Sequence, residues 1–282
     1  MAAAALARVS CTAHRTAGGG GGGERVIPEE TAIAFTYNGA SYAVMMATPR
    51  DLADFALGFS LTERVIASPD QIEHLKIVED AAGIELRMWL KEPFGTALAE
   101  RRRHLAGPTG CGLCGIETLG EAMRPVPRVS EGWHFTAREI MRALETVAPM
   151  QELNRQTRAM HAAAFWQPGT GLVALREDVG RHNALDKLGG ALSHGGIPGR
   201  SGMLLLTSRV SVEMVQKAAA IDAPVMVAVS APTALAVRTA EAAGITLVAI
   251  ARSDGFEVFT HPYRIAAEAA AQVPTQVAAH VA

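Results

Sequence analysis

The chain has only three cysteines in 282 residues, too few and too odd a number for a secreted disulfide framework, so a reducing compartment is expected. Neither sign of charge is in excess. The formal net charge of −2 removes the electrostatic case for nucleic acid or an anionic membrane surface as a partner. Aromatic residues are scarce at 5%, so the core must come from Ala, Val and Leu, as in ordinary α/β enzymes. No apolar run approaches the roughly 18 residues that a membrane span requires. A secretory signal is missing too: the apolar stretch Ala2 to Leu6 is short, and no cationic side chain precedes it. A cytoplasmic protein is expected. No internal repeat is visible.

What is present divides the chain into three. Residues 1–29 contain six consecutive glycines, Gly18 to Gly23, and are expected to form a low-complexity, disordered tail in which Cys11 is incidental. Residues 30–135 have the texture of an α+β region. "TAIAFTYNGASYAVMMATP" alternates around Asn38-Gly39, a strong hairpin signal. Thr48 and Pro49 open a helical pattern, strand-like runs follow at 73–79 and 84–90, and a helix is expected over about 93–104. Pro125 and Pro127 argue against regular structure there. Residues 136–282 begin with a capping box, Thr136 and Glu139, on the helix "TAREIMRALETVAPMQELN". Short apolar runs then alternate with helices, which implies an α/β domain with a largely parallel sheet covered on both faces.

Two of the cysteines stand in "GPTGCGLCGIE", the centre of a loop expected over 105–117 to be mobile. Cys111 and Cys114 could serve metal binding, redox or sulfur carriage. Structural zinc needs four ligands, and no second C-x-x-C or closely spaced histidine pair is present; no structural metal is expected. A thioredoxin-like dithiol opens a helix after a strand, whereas Gly110, Gly112 and Gly115 favour a pliable tether. Buried idle cysteines belong in packed elements, not in Gly-Pro loops. A carrier thiol must visit both donor and acceptor, and a glycine-rich arm permits that; its persulfide moves sulfur by thiol exchange. Loop composition fits carriage better than its rivals, without excluding them.

Farther along, "REDVGRHNALDKLGG" sets Glu177, Asp178, Arg181 and His182 at a strand end and helix start, where anions bind in open α/β sheets. The alternative for Arg181 and His182 is a solvated first turn, and Lys187 is expected as a surface charge. "LLLTSRVSVEMVQKA" repeats the layout with Thr207, Ser208 and Arg209 as phosphate or base-edge donors, while Ser211 could simply cap its helix. Ser230, Thr233, Arg252 and Gly255 mark two further polar strand ends. Together they imply a broad ledge for a large phosphorylated ligand, although no standard nucleotide motif is present.

The ordered set "GCGLCG", "EDVGRHNALDK", "TSRVSVEMVQKA", "VSAPTALAV" and "ARSDGFEVFTHPYRI" resembles the FdhD family of formate dehydrogenase accessory sulfurtransferases over roughly residues 30–265. The N-terminal helix "TPRDLADFALGFSLTE" is similar as well. The resemblance implies a cytidine-deaminase-like C-terminal domain and a cysteine desulfurase as sulfur donor. It also implies the bis-molybdopterin guanine dinucleotide form of the molybdenum cofactor as acceptor, formate dehydrogenase apoenzyme as client, and a homodimer. Cys111 would carry the persulfide with Cys114 assisting. The family's cofactor-binding turn falls on Ile250, Ala251, Arg252, Ser253, Asp254 and Gly255. Deaminase chemistry itself is excluded, because zinc deaminases need H-x-E followed by P-C-x-x-C, and His161 is followed at 163 by Ala. The family pattern has a Gly-Gly pair before "HAA" where this chain has Arg158 and Ala159, so His161 is not carried over. A cofactor-delivering chaperone and a dithiol redox protein remain the alternatives.

Overall fold

A computed structural model describes residues 4–16, 18–96 and 125–266. The first difference from expectation is at the N-terminus. Residues 6–28 form an antiparallel ribbon of β1 (Leu6–His14) and β2 (Gly20–Pro28), with Leu6 opposite Pro28 and His14 opposite Gly20. The supposed disordered tail is therefore a hairpin. The ladder uses backbone groups that glycine also has, and Gly18 and Gly19 supply the left-handed turn at φ 80° and 87°. Most ribbon residues are exposed.

The α+β region follows as β3 (Thr31–Tyr37), β4 (Ala40–Ala47), α1 (Leu52–Thr62), β5 (Ile72–Glu79) and β6 (Ile84–Leu90). Its four-stranded sheet has the order β4-β3-β6-β5. Asn38 and Gly39 both adopt positive φ, as a type I′ hairpin turn demands. One face buries Ile33, Phe35, Leu86 and Met88 under Phe55 and Phe59 of α1; the Phe35 and Phe59 rings stack at 4.0 Å. Fully burying each such side chain stabilises by about 1.5–3 kcal/mol. Of the helix expected over 93–104, Pro93 lies in a turn, residues 94–96 are helical, and 97–104 lie outside the described residues. Residues 125–134 have no regular structure.

Beyond them come β7 (Phe135–Thr136), α2 (Ala137–Met150), α3 (Glu152–Thr157), β8 (His161–Gln167), β9 (Gly171–Asp178) and α4 (Arg181–His194). Then follow β10 (Met203–Leu206), α5 (Val212–Ala220), β11 (Val225–Ala228), α6 (Ala234–Ala243), β12 (Thr246–Arg252), β13 (Gly255–Val258) and β14 (Ile265–Ala266). The Thr136–Glu139 capping box is formed, and the single helix expected after it is interrupted at Gln151 into α2 and α3.

The main sheet runs β13-β12-β11-β10-β8-β9. Only β10, β11 and β12 pair in parallel, because the tight connections β8–β9 and β12–β13 can join only antiparallel neighbours. The sheet is thus mixed rather than largely parallel. Alternate side chains face opposite ways: Phe165, Leu204, Met226 and Leu247 pack toward α4, α5 and α6, whereas Trp166, Leu205, Val227 and Val248 pack with Ile140 and Val147 of α2. Helices therefore cover both faces. The α+β region docks through α1 onto α4. A Cβ added to Gly58 would overlap the Asp186 carbonyl, and one on Gly190 would overlap the Asp54 carbonyl, so the two helix backbones touch. No helix among the described residues is long and apolar enough to cross a membrane.

Candidate functional site

The carboxyl edge of the parallel trio gathers the polar strand ends read from the sequence. Because β8 is antiparallel to β10 and β9 to β8, His161 and Asp178 arrive at the same edge as Thr207. Backbone hydrogen bonds stitch the connecting segments together. Val229 donates to Leu206, Val210 to Ala231, Thr233 to Val210 and Ile250 to Ser230. The edge is a continuous ledge held by main chain.

Two helix starts meet there. The His182 Nε2 atom on α4 lies 3.8 Å from Glu213 Oε2 on α5, beyond hydrogen-bond reach. Both His182 Nε2 and Arg181 Nε are buried without a hydrogen-bond partner. Burial, then the charges of Arg181 and Lys217, push the His182 imidazole down to about 4. His161 is shifted in the same direction, chiefly by burial and then by Arg181. A guanidinium and a neutral imidazole with unmet nitrogens beside helix N-termini have the chemistry that suits an anionic, hydrogen-bonding ligand.

Other expected residues are placed differently. The Thr207 hydroxyl accepts from Ala162 N at 2.8 Å, and Ser208 Oγ donates to the Arg209 carbonyl at 3.1 Å, so both hydroxyls are engaged within the scaffold. Arg209 is exposed. Ser211 occupies the cap position of α5 without making a side-chain cap bond, whereas Thr233 does cap α6. Ile250 has φ 52° at an irregularity in the β12–β13 pairing, a strained conformation for a β-branched residue. Ala251 is buried; Arg252, Ser253 and Asp254 form the exposed tip, and Gly255 adopts φ 147°. Cys111 and Cys114 lie outside the described residues. Among the described residues, no group of His, Cys, Asp and Glu side chains is arranged to hold a metal ion.

Residues 28–266 match the FdhD/NarQ family. The chain belongs to that family. Sulfur carrier protein FdhD of Agrobacterium fabrum is 51% identical over 259 residues, covering 92% of this chain and 95% of the relative. The Brucella abortus protein of the same name is 51% identical over 254 residues, 90% of this chain and 94% of its own. A crystal structure from Desulfotalea psychrophila, described as a formate dehydrogenase accessory protein, superposes with a TM-score of 0.74 over 93% of this chain and 100% of its own, at 24% identity. The fold described above is thus an FdhD/NarQ fold.

The segment "EDVGRHNALDK" does more than furnish a ledge. Asp178 and Lys187 are both 0% exposed and pair at 2.6 Å. Lys187 also donates to Thr48 O at 2.8 Å, so the expected surface charge is instead buried against the α+β region. Asn183 donates to Met46 O, and Glu177 accepts from the first amides of α3, Leu153 N and Asn154 N. A second buried lysine, Lys217 on α5, pairs with Asp186 at 2.8 Å and with Glu63 at 2.6 Å, and it donates to Thr62 Oγ1. Burial, outweighing Lys217, pushes the Asp186 carboxyl up to about 6. Both ends of α1 are therefore pinned by buried lysine–aspartate pairs. Buried pairing was not expected of these residues, yet a signal exists: Asn183, Asp186, Lys187, Gly190 and His194 follow helical spacing, a second stripe beside the apolar Leu185, Leu188 and Leu192.

Proposed function

We propose that this chain is a sulfur carrier needed for active formate dehydrogenase. The reading rests first on its 51% identity to proteins named sulfur carrier protein FdhD, across nearly the whole of both chains. The unmet Arg181 and His182 nitrogens support it, since they suit the phosphates of a large nucleotide-bearing ligand. Cys111 accepts sulfane sulfur from a cysteine desulfurase as a persulfide. Cys114, as thiolate, then attacks the Cys111 sulfur. The bond between Cys111 and the sulfane sulfur breaks, a Cys111–Cys114 disulfide forms, and sulfur leaves as hydrosulfide with the two electrons the dithiol supplied. An external thiol reductant restores the pair. The acceptor is the bis-molybdopterin guanine dinucleotide cofactor, sulfurated before it enters the formate dehydrogenase apoenzyme.

In this reading the C-terminal domain, layered like a cytidine deaminase, keeps the ligand-binding edge but performs no deamination. Arg181, His182 and Arg209, on a ledge that Thr207 and Ser208 brace from within, and the turn Ile250 to Gly255 hold the guanine dinucleotide. The protein works in the cytoplasm as a homodimer.

Intact-mass spectrometry after incubation with a cysteine desulfurase and cysteine tests the reading. Sulfur is expected on Cys111, removable by reductant and absent in Cys111→Ala, while guanine nucleotide binding persists in that variant. An unloaded wild type, under conditions that load another acceptor, overturns carriage and favours a cofactor-delivering chaperone. Equal dependence on Cys111 and Cys114, with no added sulfur, favours a dithiol redox protein.

A further inference from the structure

Asp178 is fully buried, and both carboxylate oxygens are used twice. Oδ1 accepts from Gly180 N at 2.8 Å and Asn183 Nδ2 at 2.9 Å. Oδ2 accepts from Thr48 N at 3.0 Å and Lys187 Nζ at 2.6 Å. One carboxylate thus closes the turn from β9 into α4 and grips the α+β region. Thr48 answers from the other side, its Oγ1 accepting from Val179 N at 3.2 Å. The next residue along that turn is Arg181, whose Nε is buried and meets no acceptor, so no bond from that nitrogen anchors the guanidinium and the turn sets where its side chain departs.

We propose that Asp178 is a positioning residue for the anion-binding edge, setting the turn that aims Arg181 and making that aim depend on α1 being docked. The proposal rests on the nucleotide-binding reading above. It assigns "EDVGRHNALDK" a division of labour in which Arg181 and His182 face the ligand, and Asp178, Asn183 and Lys187 hold them in place. An Asn at 178 keeps the shape but turns an amide donor toward the Thr48 and Lys187 donors, so the turn loosens.

The test is a double-mutant cycle with GDP as the probe, titrated calorimetrically well below each variant's unfolding midpoint. Arg181→Ala should weaken GDP about 10- to 100-fold, the range for hydrogen bonds to a charged group. Asp178→Asn should weaken it comparably, and the double variant no further than Arg181→Ala alone. Thr48→Val, which removes only the hydroxyl acceptor of Val179, should weaken GDP several-fold and carries the test if Asp178→Asn does not fold. Wild-type affinity in both Asp178→Asn and Thr48→Val overturns the role. So do losses that multiply in the double variant, because a purely structural contribution acts independently of Arg181. A wild-type chain that binds no GDP overturns the nucleotide reading itself, and this role with it.

Discussion

Replacing Lys187 by Met keeps most of the side-chain volume and removes the ammonium from a site where it and Asp178 are both 0% exposed. Breaking a buried ion pair from one side costs about 3–5 kcal/mol, because the partner charge is left uncompensated. The two sides are unequal here. In Lys187→Met the Asp178 carboxylate keeps three N–H donors, from Thr48, Gly180 and Asn183, so the loss should sit near the lower end, about 3 kcal/mol. In Asp178→Ala the Lys187 ammonium keeps only the Thr48 carbonyl as an oxygen acceptor, so the loss should approach 5 kcal/mol. Against a total of about 5–15 kcal/mol, either value is large. The double variant Asp178→Asn/Lys187→Met leaves no charge buried at this site and should be less destabilised than the sum of its singles by about 2 kcal/mol or more. Urea unfolding at pH 7, in low and in high salt, measures all of this. Pairs sealed from solvent should show little dependence on salt. A Lys187→Met cost under about 1 kcal/mol, or one erased by salt, would refute the reasoning.

Three further expectations follow from other parts of the molecule. The His182 imidazole is held at about 4 when folded against an ordinary value near 6.5, so the unfolded chain takes up its proton first as pH falls, and stability is lost from about 6.5 down to about 4. His182→Gln should flatten that fall; Asp186, raised to about 6, acts in the opposite sense in both proteins and cancels. Parallel stability–pH curves for the two proteins would sink this account. Gly58→Ala drives a methyl into the Asp186 carbonyl and should cost about 1–3 kcal/mol or more, read as a drop in melting temperature; an unchanged midpoint contradicts backbone contact between α1 and α4. Removing residues 1–28 should leave the main calorimetric transition in place, because no ribbon residue enters any of the three cores. A midpoint lowered by more than a few degrees would show that the ribbon supports them.

Local signals carried much of the architecture. The Asn38-Gly39 turn, the Thr136–Glu139 box and the apolar runs of β8 to β12 could be read directly, because each is decided by backbone preference or by alternation within a few residues. The ribbon was misread because a glycine run has no side-chain pattern, and its pairing is set by Leu6 to His14, a partner segment with little apolar alternation. Lys187 was misread for a different reason. α4 is covered on two sides, by the sheet and by α1, so its polar stripe from Asn183 to Gly190 is buried as thoroughly as its apolar one, and helical periodicity alone cannot reveal a second covering layer. At the ledge, residue types were legible, but the division of work was not. Thr207 and Ser208 serve the scaffold, while Asp178 grips Thr48 from 130 positions away.

The contact between Gly58 and Gly190 bears on how the protein is made. α1 leaves the ribosome with Phe55, Leu57 and Phe59 ready to pack, yet the helix that must lie against its glycine comes about 130 residues later. At roughly 5–20 residues per second, that is a delay on the order of ten seconds, during which α1 has only its own small sheet to cover it. The partner face on α4, lined by Asn183, Asp186 and Lys187, is polar until docking removes it from water, so the half made last does not present a greasy surface of its own. Exposure to chaperones and to mispairing during synthesis therefore falls on the first half of the chain, and it ends when α4 arrives.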